Sequence, residues 1–202
     1  FMLLWLSGDA ESEFRAFGSA GRGVPFKFKI KDADGFLRSP TQAVSHPGPL
    51  GIMAEMRSGG NPDYAILLAD RIHKHFFDDG ALTPAKNIER LQKRVAEARP
   101  GFTSEAARWG NLYREPQSWE SYQANLINNH FPNLTAGMIA KFKAAGMYPG
   151  ILAPVFSQHG GTVAPGAGIT MATSATAVYY TLDGSDPRLP GGSVNPAATL
   201  AP

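Results

Sequence analysis

In the stretch Pro25-Phe26-Lys27-Phe28-Lys29-Ile30-Lys31, apolar residues alternate one for one with lysines. A two-residue period is that of a pleated strand with one face buried and the other wet, so a core strand is expected here. At its end come Asp32-Ala33-Asp34-Gly35-Phe36. Two carboxylates held this close repel, and one is expected to keep its proton unless a cation lies between them. Magnesium removes the conflict, because it takes oxygen ligands, commonly one or two carboxylates together with substrate phosphates. The same residues also fit a turn in which both Asp side chains bond nearby backbone N–H groups, with Gly35 free to take positive φ and Phe36 anchoring the turn. A structural calcium is a third reading, although an EF-hand loop would need another ligand before its glycine and a distal glutamate.

Composition narrows the setting. At 202 residues, 43% hydrophobic and 18% charged, the chain is long enough to fold around one sizeable core, or one domain and part of another. A formal charge of +2 makes no case for nucleic acid or an anionic membrane as partner. The absence of cysteine excludes disulfides, thiolate zinc sites and a cysteine nucleophile. The longest apolar run, residues 1–6, is far below the roughly 20 residues of a membrane helix, so no membrane span is expected, and it lacks the flanks of a signal peptide. Opening without methionine inside a hydrophobic element, the sequence reads as a piece of a longer chain.

Residues 1–6 read as the end of a buried helix stopped near Gly8, and Asp9, Glu11 and Glu13 as a solvated acidic turn. Glycine-rich residues 16–24 suit a hairpin-like return, which, if tight, brings Asp9 toward the far end of the same sheet. Residues 38–61 are rich in Pro, Gly and Ser and read as a lid or an ordinary surface loop, with two helical turns possible near Leu50 to Met56. Asn61-Pro62-Asp63 is a helix start; Leu68, Ile72 and Phe76 then recur every four residues up to a stop at Gly80. His73 and His75 lie about 200° apart around that helix and should not share an ion. Thr83-Pro84 opens the next helix, with Ile88, Leu91 and Val95 on one face and a stop at Pro100-Gly101. Glu105 and Arg108 are expected to pair and fix the turn before Trp109-Gly110. A helix marked by Trp119, Tyr122, Leu126 and Ile127 is expected to end at Pro132, and one marked by Met138, Ile139 and Phe142 to end at Gly146. Asn133-Leu134-Thr135 matches the N-glycosylation triplet, while Thr135 also reads as a helix cap. Residues 61–147 thus give at least four helices, expected to pack as a layer against the strand. After Tyr148 the composition shifts, with strands expected at residues 168–171 and 177–182 and a turn at Asp183-Gly184. A sandwich of the immunoglobulin type needs about seven strands in ~100 residues, so this module should be incomplete.

Several of these segments together resemble a known family. Val24-Pro25-Phe26-Lys27-Phe28 through Asp32-Ala33-Asp34, then Ala69-Asp70-Arg71-Ile72-His73-Lys74-His75-Phe76-Phe77, Ala107-Arg108-Trp109-Gly110 and Gly146-Met147-Tyr148-Pro149 resemble the C-terminal part of the CotH-type kinase-like proteins. Val178-Tyr179-Tyr180-Thr181-Leu182-Asp183-Gly184-Ser185-Asp186-Pro187-Arg188 is similar to the β-sandwich module at the C-terminus of chitobiases. The resemblance implies an α+β fold: a mainly helical, protein-kinase-like C-lobe on a short sheet over residues 1–152, and the start of a β-sandwich over 153–202. It implies that Asp32 and Asp34 bind the Mg2+ of ATP and that Asp9 is the catalytic aspartate, positioning a protein hydroxyl for phosphoryl transfer. Glu11 or Glu13 would stand where the family has an asparagine metal ligand, and Lys31 replaces its usual tryptophan. An extracellular or cell-surface setting is implied, with a glycan or protein as partner of the β-module. The nucleotide-gripping N-terminal lobe is not among these residues, so the piece alone is expected to be inactive. The competing reading is a non-catalytic surface or adhesion protein that keeps the kinase-like domain as scaffold.

Overall fold

The alternating stretch forms a strand, and it pairs with the segment before it. The computed structural model describes residues 14–17, 27–30, 51–110 and 116–202, with 14–17, 27–30, 51–54 and 116–117 described as backbone alone. Strands β1 (Phe14–Phe17) and β2 (Lys27–Ile30) are antiparallel, with Phe14 opposite Ile30 and Phe17 opposite Lys27, so the expected return does occur. The helices follow in chain order: α1 (Gly51–Ser58), α2 (Pro62–Phe76), α3 (Pro84–Trp109), α4 (Pro116–Asn125) and α5 (Phe131–Ala144). The chain is therefore α+β.

Helix α2 begins as its sequence directs: the Asn61 side chain accepts the Tyr64 N–H at 2.9 Å, and proline occupies the first turn. Its four-residue stripe, Leu68, Ile72 and Phe76, is buried and meets the matching stripe of α5, Leu134, Met138 and Phe142. Phe76 and Phe142 meet edge to face, ring centres 5.5 Å apart. Met147 and Tyr148 complete this core, so among the residues whose side chains are described the core lies between α2, α5 and the turn after α5. That turn is a Schellman motif: Gly146, at φ 67°, donates to the Lys143 carbonyl and Met147 to that of Phe142. The left-handed position explains the glycine and folds Met147 and Tyr148 back onto the helix they follow.

Three expected boundaries move. Helix α2 ends at Phe76 rather than at Gly80. Gly80 instead lies where the Leu82 N–H donates to the His75 carbonyl at 2.7 Å, and a Cβ there would sit 2.6 Å from His75 backbone atoms. Helix α3 does not stop at Pro100 but continues to Trp109. The missing proline N–H removes one bond, while tertiary contacts hold the second half: Phe102 stacks on Trp119 at 4.5 Å, and Arg99 pairs with Glu120 at 2.5 Å. Arg108, expected to pair with Glu105, lies over the Trp109 ring at 4.8 Å. Pro132 does not end a helix either. A single π-helical turn, residues Leu126–His130, joins α4 to α5, and its wider loop lets Pro132 sit in the first turn of α5.

Thr135 is no cap. It is buried within α5, and its hydroxyl donates to the Leu82 carbonyl at 3.0 Å, tying α5 to the α2–α3 turn. The C-terminal residues form short antiparallel ladders, β3 (Val155–Phe156) with β4 (Met171–Ala172) and β5 (Tyr179–Tyr180) with β6 (Thr199–Leu200). The longer strands expected at 168–171 and 177–182 shrink to two residues each, and no residue from 153 to 202 is buried. The expected Asp183-Gly184 turn is present, the Asp183 carboxylate accepting both the N–H and the hydroxyl of Ser185.

Candidate functional site

Asp9, Asp32 and Asp34 lie outside the described residues, as do Glu11, Glu13 and Lys31. What is described is the hairpin that carries them. Asp9 is five residues before Phe14, and Asp32 and Asp34 are two and four after Ile30. A chain spans at most about 3.5 Å per residue, which tethers the Cα atoms of the three aspartates within roughly 17, 7 and 14 Å of one strand end. Because Phe14 pairs with Ile30, that end is shared, whereas the nine-residue connection 18–26 closes the other. Among the described residues no group of three or more His, Asp or Glu side chains converges as a metal site. His73 and His75 both lie on α2, and His73 has partners beyond that helix.

His73 and one of those partners, Tyr148, line a cleft of about 800 Å³ beside α2. Two adjacent ridges of that helix form one wall. Ala65, Ala69 and His73 make one ridge, where the two alanines leave the space open, and Ile66, Asp70 and Lys74 make the rim. The turn after α5 supplies the facing wall through Met147, Tyr148, Ile151 and Leu152. Arg188, from the C-terminal residues, closes one side.

Tyr148 and His73 join the two walls, with the phenol oxygen 2.9 Å from imidazole Nδ1. The rings are within 2° of parallel and their centres 6.4 Å apart. With so short a contact at that separation, the rings must meet edge to edge in nearly one plane, since overlapping rings would lie closer. Phe77 stacks on both, at 4.9 Å from His73 and 5.3 Å from Tyr148. Burial, and next the Asp78 carboxylate, push the Tyr148 phenol above its ordinary value, so it keeps its proton. One hydrogen bond joins the phenol and Nδ1, its direction set by the imidazole tautomer, and Nε2 lies 3.6 Å from Asp78. Asp78 reaches this position from a left-handed backbone, φ 50°, which aspartate tolerates better than most residues.

The Arg188 guanidinium donates to both oxygens of Asp70, at 3.1 and 2.8 Å, and to both of Asp186, at 3.0 Å each. Those hydrogen bonds, Asp186 first and Asp70 second, hold Arg188 more firmly cationic than usual. Asp63 accepts the Gly191 N–H at 2.6 Å, a second tie between α2 and the C-terminal residues. Sequence reasoning found the α2 core stripe but not the cleft. The available signal was Ala65 and Ala69, two small residues one turn apart and followed by His73, beside the apolar stripe. No family model matches this chain, and neither the curated proteins nor the solved structures compared with it include a match.

Proposed function

We propose that this chain is the metal-binding part of a CotH-type, protein-kinase-like domain followed by a chitobiase-type β-module, from a protein acting at or beyond the cell envelope. In this reading the intact protein transfers phosphate from ATP to a protein hydroxyl. Asp32 and Asp34 would hold the magnesium, and Asp9 would orient the attacking hydroxyl and accept its proton. Bound magnesium neutralises charge on the phosphates. The supporting observation is the β1–β2 register, which attaches all three aspartates to the same end of one hairpin. Aspartates tethered to opposite ends would give the reading no such support.

The experiment uses Mn2+ as a paramagnetic substitute for magnesium. Adding it to labelled protein should broaden the amide signals of Phe14 and Ile30 before those of Phe17 and Lys27, and Asp34→Ala should abolish the effect. Broadening that is uniform, absent or unchanged in the variant would refute the metal assignment. In the intact protein the same substitution should remove magnesium-dependent ATP binding.

A second reading, a non-catalytic surface protein, draws on a different observation. No residue from 153 to 202 is fully buried, and Val155, Phe156, Ile169, Leu182 and Leu200 are exposed. Surface of that kind suits contact with a protein or glycan. Unchanged nucleotide affinity in Asp34→Ala would favour this reading.

A further inference from the structure

We propose that the cleft beside α2 is a binding site for a small planar aromatic carboxylate, a reading that does not depend on the proposed metal site. Its volume, about 800 Å³, falls in the range of small-molecule sites, and its walls are mostly apolar with a few polar groups, as such sites are. The ligand class follows from three features of the lining.

The first is the flat His73–Tyr148 pair. Phe77 covers one face of both rings and does not reach the cleft, whereas His73 and Tyr148 both line it. The uncovered face of this plate is therefore the one turned to the cleft. The His73 side chain is one-third exposed, at 33%, and offers most of that face. A flat ring laid against it continues the stack that Phe77 begins, and aromatic pairs of this kind gain more than their area alone.

The second is charge. Arg188 is taken up by Asp70 and Asp186, and His73 by Tyr148 and Asp78. Lys74 is the charged group of the lining for which no carboxylate lies within ion-pair distance among the described residues. It stands one helical turn beyond Asp70 on the rim and next to His73, so an anionic substituent on a ring stacked at His73 comes within its reach. The third is depth. Ala65 and Ala69 leave room along the helix for a ring system, and Met147, Ile151 and Leu152 face it across the gap.

The test is a titration of the labelled protein with 2-naphthoate, followed by amide and imidazole NMR shifts. Saturable ring-current shifts are expected at Ala69, His73, Lys74, Met147 and Leu152. The fully saturated decahydro acid should bind roughly threefold to tenfold more weakly, because it loses stacking but keeps its charge. Lys74→Met should weaken 2-naphthoate about threefold and leave neutral 2-naphthalenemethanol unchanged. Ala69→Leu, and independently the more exposed Ala65→Leu, should block both probes while the dispersed spectrum shows the fold retained. Equal affinity for the aromatic and saturated acids, unchanged binding in both leucine variants, or shifts confined to residues 153–202 would overturn the proposal.

Discussion

Replacing Ile72 with alanine tests whether the α2 stripe is the centre of the core. Ile72 is fully buried, at 0% exposure, and with Phe142 and Met138 is among the largest side chains hidden completely. The change removes three methyl or methylene groups, worth about 0.8 kcal/mol each in transfer from water, or ~2.4 kcal/mol. Phe142, Met138 and their neighbours are held by two helices and the Schellman turn, so the site collapses only in part. The residual cavity raises the expected cost to about 3–4 kcal/mol, inside the usual span for such truncations. For a chain of this length that is a fall in Tm of roughly 6–16 °C. The control is Leu67→Ala on the same helix, where the side chain is 54% exposed and the cost should be within about 0.5 kcal/mol of zero. Urea unfolding followed by far-UV circular dichroism measures both. Equal losses in the two variants, or less than about 1 kcal/mol for Ile72→Ala, would show that α2 does not pack through this face.

Thr135→Val keeps the side-chain shape but deletes the donor to Leu82; since Asn87 also donates to that carbonyl at 3.2 Å, the loss in a urea midpoint experiment should be only about 1 kcal/mol. Pro100→Ala restores a helix N–H at an exposed position, and the same measurement should show α3 stabilised by about 1–2 kcal/mol; a loss would mean that the proline ring makes needed contacts. The Tyr148 phenol has its pKa raised by folding, so its contribution to stability is complete below the ordinary value of 10.0 and is lost as pH climbs from there through the raised value. Absorbance at 295 nm should show late ionisation from Tyr148 and Tyr64, and Tyr148→Phe should remove the Tyr148 share of it. Asp186 behaves in the opposite sense: hydrogen bonds from Arg188 depress it, so its contribution holds above the ordinary 3.8 and fades as pH falls through the lowered value. Arg188→Met should shift the amides of residues 186–192 and make them easier to cleave, while global stability changes by less than about 1 kcal/mol because the pair is half exposed.

Local chemistry settled a good deal before any packing was known. The Phe-Lys alternation sufficed for β2, and the cap and proline at Asn61-Pro62 sufficed for the start of α2. The four-residue spacing of Leu68, Ile72 and Phe76 named the buried face correctly, because a helix can hide only one stripe. Pro100 and Pro132 read locally as stops, since a proline always removes a bond. Whether the helix survives depends on partners distant in sequence: Phe102 and Arg99 against Trp119 and Glu120 in one case, a π turn in the other. Thr135 looked like a cap because its partner, the Leu82 carbonyl, is 53 residues away. The cleft belongs wholly to tertiary structure. Its His73–Tyr148 contact spans 75 residues and its Asp70–Arg188 clasp 118, and no periodicity records separations of that size. Sequence therefore determined β2, the start of α2 and the face that α2 hides, because those follow from neighbours a few residues apart; the three-dimensional fold alone decided where α3 ends and α5 begins, that α3 buries no residue, and what the remaining faces enclose.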